Sequence, residues 1–408
     1  METEAKAASE ARPRRLAAVV HVPGLDGHRA IAALLVLVFH VAGATDLTDA
    51  DGLTAYIVRP FGALGVSLFF VLSGFLLYWP FVSAHLRNDP QPPIGRYLVR
   101  RALRIFPAYW LAFVVTVYVF GNADRTVQDV GDLVTFLTLQ QGYDTRLVLA
   151  GVPVAWTLSI EVTFYVFLPV FALIPLALAG KRASARERFH IQLASVAGLF
   201  VLAMLVRYLL IDSDAKLVGV FPAMADWFAV GMVLAVLRSW YDLGRVRPRV
   251  LETLRRRPGI GLIGAALAFA GVVSLQLDGG FVRMAVGDHM VRNALFAVFG
   301  ACLIGPVALG ADVRSPLVRV LENRVLRWFG LVSYGIYLWH TLVIKELRPA
   351  LVEHLGMSSG FWPTLVVTIA ASAVVAAASW YLLEKPIIAW GRRRERRPVE
   401  PGTGGRSS

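Results

Sequence analysis

About ten apolar runs, each near the length that crosses a lipid bilayer, divide this chain and constrain its fold more than any other feature. A hydrocarbon core is spanned by roughly 20 residues of helix. Backbone in contact with lipid must satisfy its own hydrogen bonds, so such runs become helices or a closed barrel. The runs here are continuous rather than alternating, which excludes a barrel. Hydropathy places them near 29–45, 62–82, 106–120, 155–179, 190–211, 219–238, 259–276, 291–310, 328–347 and 362–383. The predicted fold class is all-α, a polytopic membrane helical bundle of about ten transmembrane helices. A shorter apolar stretch, 132–140, cannot span and reads as a re-entrant or interfacial segment.

Composition agrees with a membrane solvent. Only 17% of residues are charged, against about 25% in soluble domains. The formal charge of +13 sits mostly on arginines in short loops between the runs. That distribution argues for topology signals and against a nucleic-acid surface. Basic loops hold Arg12, Arg14 and Arg15; Arg87 to Arg101; Lys181 to Arg188; residues 238–257; and 314–327. The alternate loops are acidic, with Asp46, Asp49, Asp51, Asp124, Asp129, Asp132, Asp144, Asp212, Asp214, Asp278 and Asp288. The positive-inside rule then predicts cytoplasmic termini at both ends. Residues 1–24 read as a disordered N-terminal segment without a signal-peptide pattern, 25–390 as the membrane domain and 391–408 as a basic disordered tail. The single cysteine, Cys302, permits no intrachain disulfide and no cysteine-based metal site.

Ionisable groups near mid-bilayer are costly and are functional candidates by default. His40, Glu161 and His340 stand out. The helical rise puts His40 about 16 Å past Arg29, Glu161 about 9 Å below the outer surface and His340 about 20 Å past Arg327. All three are expected in one layer just outside the midplane. A lone buried histidine also serves as a polar contact between helices. A carboxylate beside an imidazole can instead fix its tautomer and raise its basicity, as a general base requires. Arg29 and His40 are eleven residues apart, close to three turns, so they share a helix face. The segment YLVRRALRIFPAYW adds Arg100, Arg101 and Arg104, whose planar forks suit phosphate as well as a cytoplasmic helix end. HVPGLD sets His21 and Asp26 in an H-x4-D spacing, a short pattern that arises by chance and is set aside. No nucleotide-binding or zinc-protease motif is present.

These residues resemble the acyltransferase-3 family of bacterial integral membrane O-acyltransferases. The resemblance is carried by LDGHRAIAALLVLVFHV with Arg29 and His40, GVSLFFVLSGFLL, RRALRIFPAYW, WTLSIEVTFYVFLP, SYGIYLWH and LEKP. It runs in order from about Leu25 to Pro386. Two departures show: His28 stands where leucine is common, and FPAMADW keeps Asp226 but has Met224 where arginine is often found. No segment for the esterase-like domain of some members follows Pro386, so any handover to one is expected to need a separate partner.

The resemblance implies O-acyl transfer, usually acetyl, from cytoplasmic acetyl-CoA or another acyl-CoA to a hydroxyl of a cell-envelope glycan or glycolipid. It implies His40 as catalytic base, Glu161 as an essential carboxylate, and Arg29, Arg101 and Arg104 as donor-site residues, with Ser73 lining the pore. His340, Tyr337 or a backbone amide would stabilise the oxyanion. Direct transfer and a covalent acyl-histidine are both compatible with these residues. Expected partners are the lipid bilayer, the acyl-CoA and the acceptor, with no metal and no nucleic acid. The expected location is the bacterial inner membrane, multi-pass. Two alternatives stay open: a macrolide or other small-molecule acceptor, and a proton-coupled carrier or flippase without acyl transfer, since buried His and Glu also relay protons.

Overall fold

The computed structural model of the chain describes residues 22–121, 123–210, 220–244, 248–275, 285–355 and 360–395. His21, Asp212, Asp214, Asp278, the arginines at 12, 14 and 15 and the tail from 396 lie outside the described residues. Among the described residues there is no strand. The main helices are α1 (Leu25–Ala44), α2 (Phe61–Arg87), α3 (Ile94–Val114), α4 (Val130–Leu137), α5 (Trp156–Ala179), α6 (Ala185–Leu210) and α7 (Phe221–Asp242). They continue as α8 (Arg249–Arg256), α9 (Gly259–Ser274), α10 (Val286–Ala308), α11 (Arg324–Leu331), α12 (Ser333–Leu342), α13 (Phe361–Ser379) and α14 (Lys385–Glu395). The protein is thus an all-α polytopic membrane bundle.

Among the described residues, eight stretches are long and apolar enough to cross a membrane, or nine if α8 and α9, bent by 94°, count as one span. The expected run 328–347 is not one straight span. It is divided between α11 and α12, and α12 passes into a π-helical turn at Val343–Leu347. Lys345 and Glu346, two charged residues within that turn, pair with each other at 2.9 Å. Residues 391–395 of the basic tail are helical, as the end of α14.

Helix α2 is the hub. In the stretch that contains it 78% of the apolar window is buried, against 22% for α6, which faces outward. Its centrality follows from small residues that let backbones touch, the usual device where lipid provides no hydrophobic drive between helices. A Cβ on Gly74 would lie 2.1 Å from the Phe228 carbonyl oxygen, and one on Gly231 2.0 Å from that of Val71. These two glycines lock α2 against α7 from both sides. Gly65 plays the same part toward α1, where a Cβ would meet the Ala32 carbonyl at 2.6 Å. Phe228 fills the space beside the crossing, stacked on Phe70 at 4.5 Å and on Phe164 of α5 at 4.1 Å.

The short apolar stretch near 132–140 forms α4 and ends on a 3-10 turn, Gln141–Tyr143. It is tied to α3 and α5: Tyr109 donates to the Phe136 carbonyl at 2.9 Å, Gly142 N–H to Ser159 Oγ at 3.2 Å, and the Tyr143 and Thr163 hydroxyls meet at 2.7 Å. Asp129 caps α4 by accepting the Asp132 N–H at 2.8 Å. Asp132 in turn accepts the Gln128 N–H at 2.9 Å and a two-pronged contact from Arg146. The Arg146 guanidinium, helped by the Gln128 amide, holds the Asp132 carboxyl below its ordinary value. A carboxylate with a lowered folded pKa contributes stability that is complete above its unfolded pKa, about 3.9, and is lost as pH falls through the folded value. Amide exchange at Gln128 should therefore stay protected at pH 5 and rise only in stronger acid. Asp132→Asn should raise that exchange at neutral pH and remove its acid dependence.

Candidate active site

His40 and His340 come together where α1 and α12 pack. The His340 Nε2 lies 3.2 Å from His40 Nδ1, and the ring centroids are 4.9 Å apart. Each ring also turns its Nδ1 to the carbonyl one turn back on its own helix, His40 to Val36 at 2.9 Å and His340 to Ile336 at 3.0 Å. A carbonyl only accepts, so each Nδ1 carries the proton. The His340 Nε2 is then a lone pair, and the His40 Nδ1–H is shared between it and Val36. That assignment, made from the hydrogen-bond pattern, leaves His40 Nε2 as a bare lone pair with no partner among the described residues. His340 is fully buried, whereas His40 keeps partial exposure.

Glu161 is not among the partners of His40, so the expected carboxylate–imidazole contact is not made; His340 and Val36 take its place. The reason is the register of α2 against α5, which brings Ser73 to Glu161. Ser73 Oγ donates to Glu161 Oε1 at 2.8 Å and Tyr165 OH to the same oxygen at 2.7 Å. Glu161, Ser73, Arg29 and Arg104 line one cavity, of about 600 Å³ counted out to its open mouth, with Phe69 and Tyr337 in its wall. The Tyr337 ring lies 5.6 Å from Phe69 and 6.0 Å from His340, so it stands between the cavity and the histidine pair.

The arginines expected to act together have separate fates. Arg100 forks onto Glu395 of α14 at 2.9 and 3.0 Å through Nε. Arg104 donates to Glu384 at 3.2 Å and lies between the Tyr334 and Trp380 rings, at 5.6 and 5.1 Å. Glu384 is 2% exposed and also accepts from Ser379 at 3.1 Å. A π-helical turn at Trp380–Glu384, ahead of Pro386, sets this geometry. Pro386 has no N–H, and the wider turn accommodates that gap. Arg101 lies over the Tyr165 ring at 6.0 Å, and its buried Nε has no acceptor; the Tyr97 hydroxyl is likewise buried and unpartnered. Arg29 makes no ion pair or hydrogen bond among the described residues, although it feels the charges of Arg104, Asp26 and Glu161.

One expectation needs correction, and the two departures noted in the sequence find their partners. A neutral His340 has its only proton on the Ile336 carbonyl, and the Tyr337 hydroxyl is bonded to Thr157 at 2.6 Å and Val154 at 3.1 Å. Neither has a free proton for an oxyanion. Asp226 does not lack its guanidinium: Arg207 of α6 supplies it at 2.7 Å, both groups being almost fully buried. His28 faces the Gly24 and Leu303 carbonyls at 2.9 and 3.0 Å, joining α1 to α10 rather than lining the cavity. Sequence reasoning missed Glu384 and Arg207. The signal for the first was an acid ending the last apolar run; for the second, an arginine inside a run.

No group of three His, Cys, Asp or Glu able to hold a metal occurs among the described residues. A helical membrane bundle with a hydrogen-bonded histidine pair behind an arginine-lined cavity is the class these observations define. Residues 22–384 match the acyltransferase domain family, and the chain belongs to it, as an acyltransferase-3 protein. It is 26% identical, over 90% of its length, to the peptidoglycan O-acetyltransferase OatA of Listeria monocytogenes, of which it covers 56%. It thus spans little more than half of that relative. It is 28% identical to the exopolysaccharide production protein ExoZ of Rhizobium meliloti, over 85% of this chain and 95% of that one. It is also 28% identical to the acyltransferase MdmB of Streptomyces mycarofaciens, over 92% and 94%. No solved structure matches the chain.

The Arg104–Glu384 pair gives a stability test. Removing one partner of a buried pair costs about 3–5 kcal/mol, because the other charge is left stranded. Arg104→Ala should lower the melting temperature in detergent sharply. Arg104→Met with Glu384→Gln should recover most of the loss, which a role for Arg104 in ligand binding alone would not produce.

Proposed function

We propose that this protein is a membrane O-acyltransferase, with acetyl the first candidate group, taking it from a cytoplasmic acyl-CoA to a hydroxyl of a cell-envelope glycan or glycolipid. The observation that carries this reading is the bare His40 Nε2, held in that form by Val36 and His340, one aromatic wall from a cavity with an unpaired guanidinium. Relatives named for peptidoglycan O-acetylation, exopolysaccharide production and acyl transfer support the reaction class and an envelope acceptor.

In this mechanism His40 Nε2 takes the acceptor's hydroxyl proton as the oxygen bonds to the thioester carbonyl carbon. The carbon–sulphur bond then breaks, and the thiol leaves with the proton that His40 returns. The His40 Nδ1–H stays between two acceptors throughout, so the transient imidazolium is stabilised without moving another side chain. Arg29 and Arg101 hold donor phosphates; the buried Arg101 Nε has no acceptor, and Arg29 makes no ion pair or hydrogen bond among the described residues. Arg104 contributes field rather than a free fork, since Glu384 already engages it. Ser73 positions Glu161 within the same donor cavity.

The arginine-rich end of the bundle faces the cytoplasm in this reading, at the inner membrane of a bacterium, with both termini on that side. Cysteines introduced near Asp49, Asp129 and Asp288 should react with impermeant reagents from outside. Labelling of the Asp129 loop only after the cells are opened would reverse the orientation.

His40→Ala should lose about 10²–10⁴ in turnover while still binding coenzyme A. Arg29→Ala and Arg101→Ala should each raise KM for the acyl-CoA about 10- to 100-fold, from lost charged hydrogen bonds of about 1.5–3 kcal/mol. Turnover should persist in detergent, where no proton gradient exists. Acyl transfer that depends on a gradient, or a well-folded His40→Ala protein with normal rates, would overturn the proposal and favour a carrier.

A further inference from the structure

Glu161 is the single carboxylate lining the cavity among the described residues, and its geometry is half used. Both Ser73 and Tyr165 donate to Oε1, and Oε2 has no hydrogen-bond partner among the described residues. Two donors on one oxygen stop the carboxylate from turning, so the remaining lone pairs point in one direction. The rest of the lining consists of apolar groups such as Val66, Phe70 and Leu158, of guanidinium groups that can only donate, and of the neutral hydroxyls of Ser333, Tyr334, Thr157 and Tyr337, each already bonded inside the protein. The cavity therefore contains one strong unfilled acceptor, placed between the arginines and the Tyr337 wall.

We propose that Glu161 is a donor-binding residue whose Oε2 accepts an amide N–H of the pantetheine arm of the acyl-CoA. The inference rests on the acyl-CoA reading above and assigns to Glu161 a role other than orienting the base. An amide N–H drawn from water into a membrane cavity is costly unless it finds an acceptor, and an ionised acceptor makes the stronger bond. Charge fixes which part of the donor Glu161 meets. It would repel the phosphates, which belong with Arg29 and Arg101, and it lies short of the thioester, which must pass Phe69 and Tyr337 to reach His40. What lies between those two points is the neutral, amide-bearing arm.

The test compares two probes on purified protein in detergent: coenzyme A, which has both phosphates and arm, and adenosine diphosphate, which has phosphates alone. Glu161→Ala should weaken coenzyme A binding about 10- to 100-fold and leave adenosine diphosphate binding within about twofold. Glu161→Gln, which keeps the shape and a neutral acceptor, should fall between. Glu161→Ala should raise the KM for acyl-CoA by more than it lowers kcat, with an unchanged pH profile. Equal weakening of both probes, or no weakening of either, overturns the assignment. So does a shifted pH profile with unaltered donor affinity, which is the mark of a residue acting through His40. Melting curves, and the milder Ser73→Ala variant that only frees the carboxylate to rotate, separate misfolding from lost recognition. Wild-type protein that binds no coenzyme A would instead sink the donor reading itself.

Discussion

Backbone-to-backbone contact at α2 is the constraint on which the site depends. Gly74 and Gly231 bring α2 and α7 to a separation that no side chain permits, and Gly65 does the same toward α1. Dispersion between close-packed helices, rather than solvent exclusion, holds such a bundle together in lipid. Once α2 is pinned on two sides, its intervening residues have no freedom of register. Ser73, next to Gly74, must then face Glu161, and Phe69 must face Tyr337.

Around that frame the buried charges are matched unequally. Arg207 with Asp226 joins two successive helices, and Arg104 with Glu384 joins parts 280 residues apart in the chain. Their mutual attraction offsets a desolvation cost that neither partner could bear alone. Arg29 makes no pair among the described residues, the Arg101 Nε is buried without an acceptor, and Ser73 and Tyr165 both donate to the first oxygen of Glu161. In a low-dielectric interior an unmatched polar group is costly unless a partner meets it, so the open capacity at Arg29 and Glu161 is what the proposed donor reading draws on.

Much of this was legible beforehand. The apolar runs located nearly every long helix, because span length is dictated by bilayer thickness and not by neighbours. The shared depth of His40 and His340 also followed from helical rise alone, and the two rings do meet. The partner of His40 did not follow. Depth along the bundle is a one-dimensional quantity; helical rise predicts one for Glu161 but not that it meets Ser73 and Tyr165 rather than His40. The run 328–347 misled for a related reason: hydropathy averages over Lys345 and Glu346 and cannot see that the helix widens there.

The sequence by itself determined that the chain is a helical membrane protein, where its helices run and which side chains must be buried at cost, because those properties depend on local composition against a solvent of known thickness. Only the tertiary structure decided who faces whom. The tautomer of His40, the capture of Arg104 by Glu384, the supply of Arg207 to Asp226 and the open oxygen of Glu161 each depend on rotation of one helix about its axis relative to another. That rotation is set by packing of small residues far apart in the chain, and no local pattern encodes it.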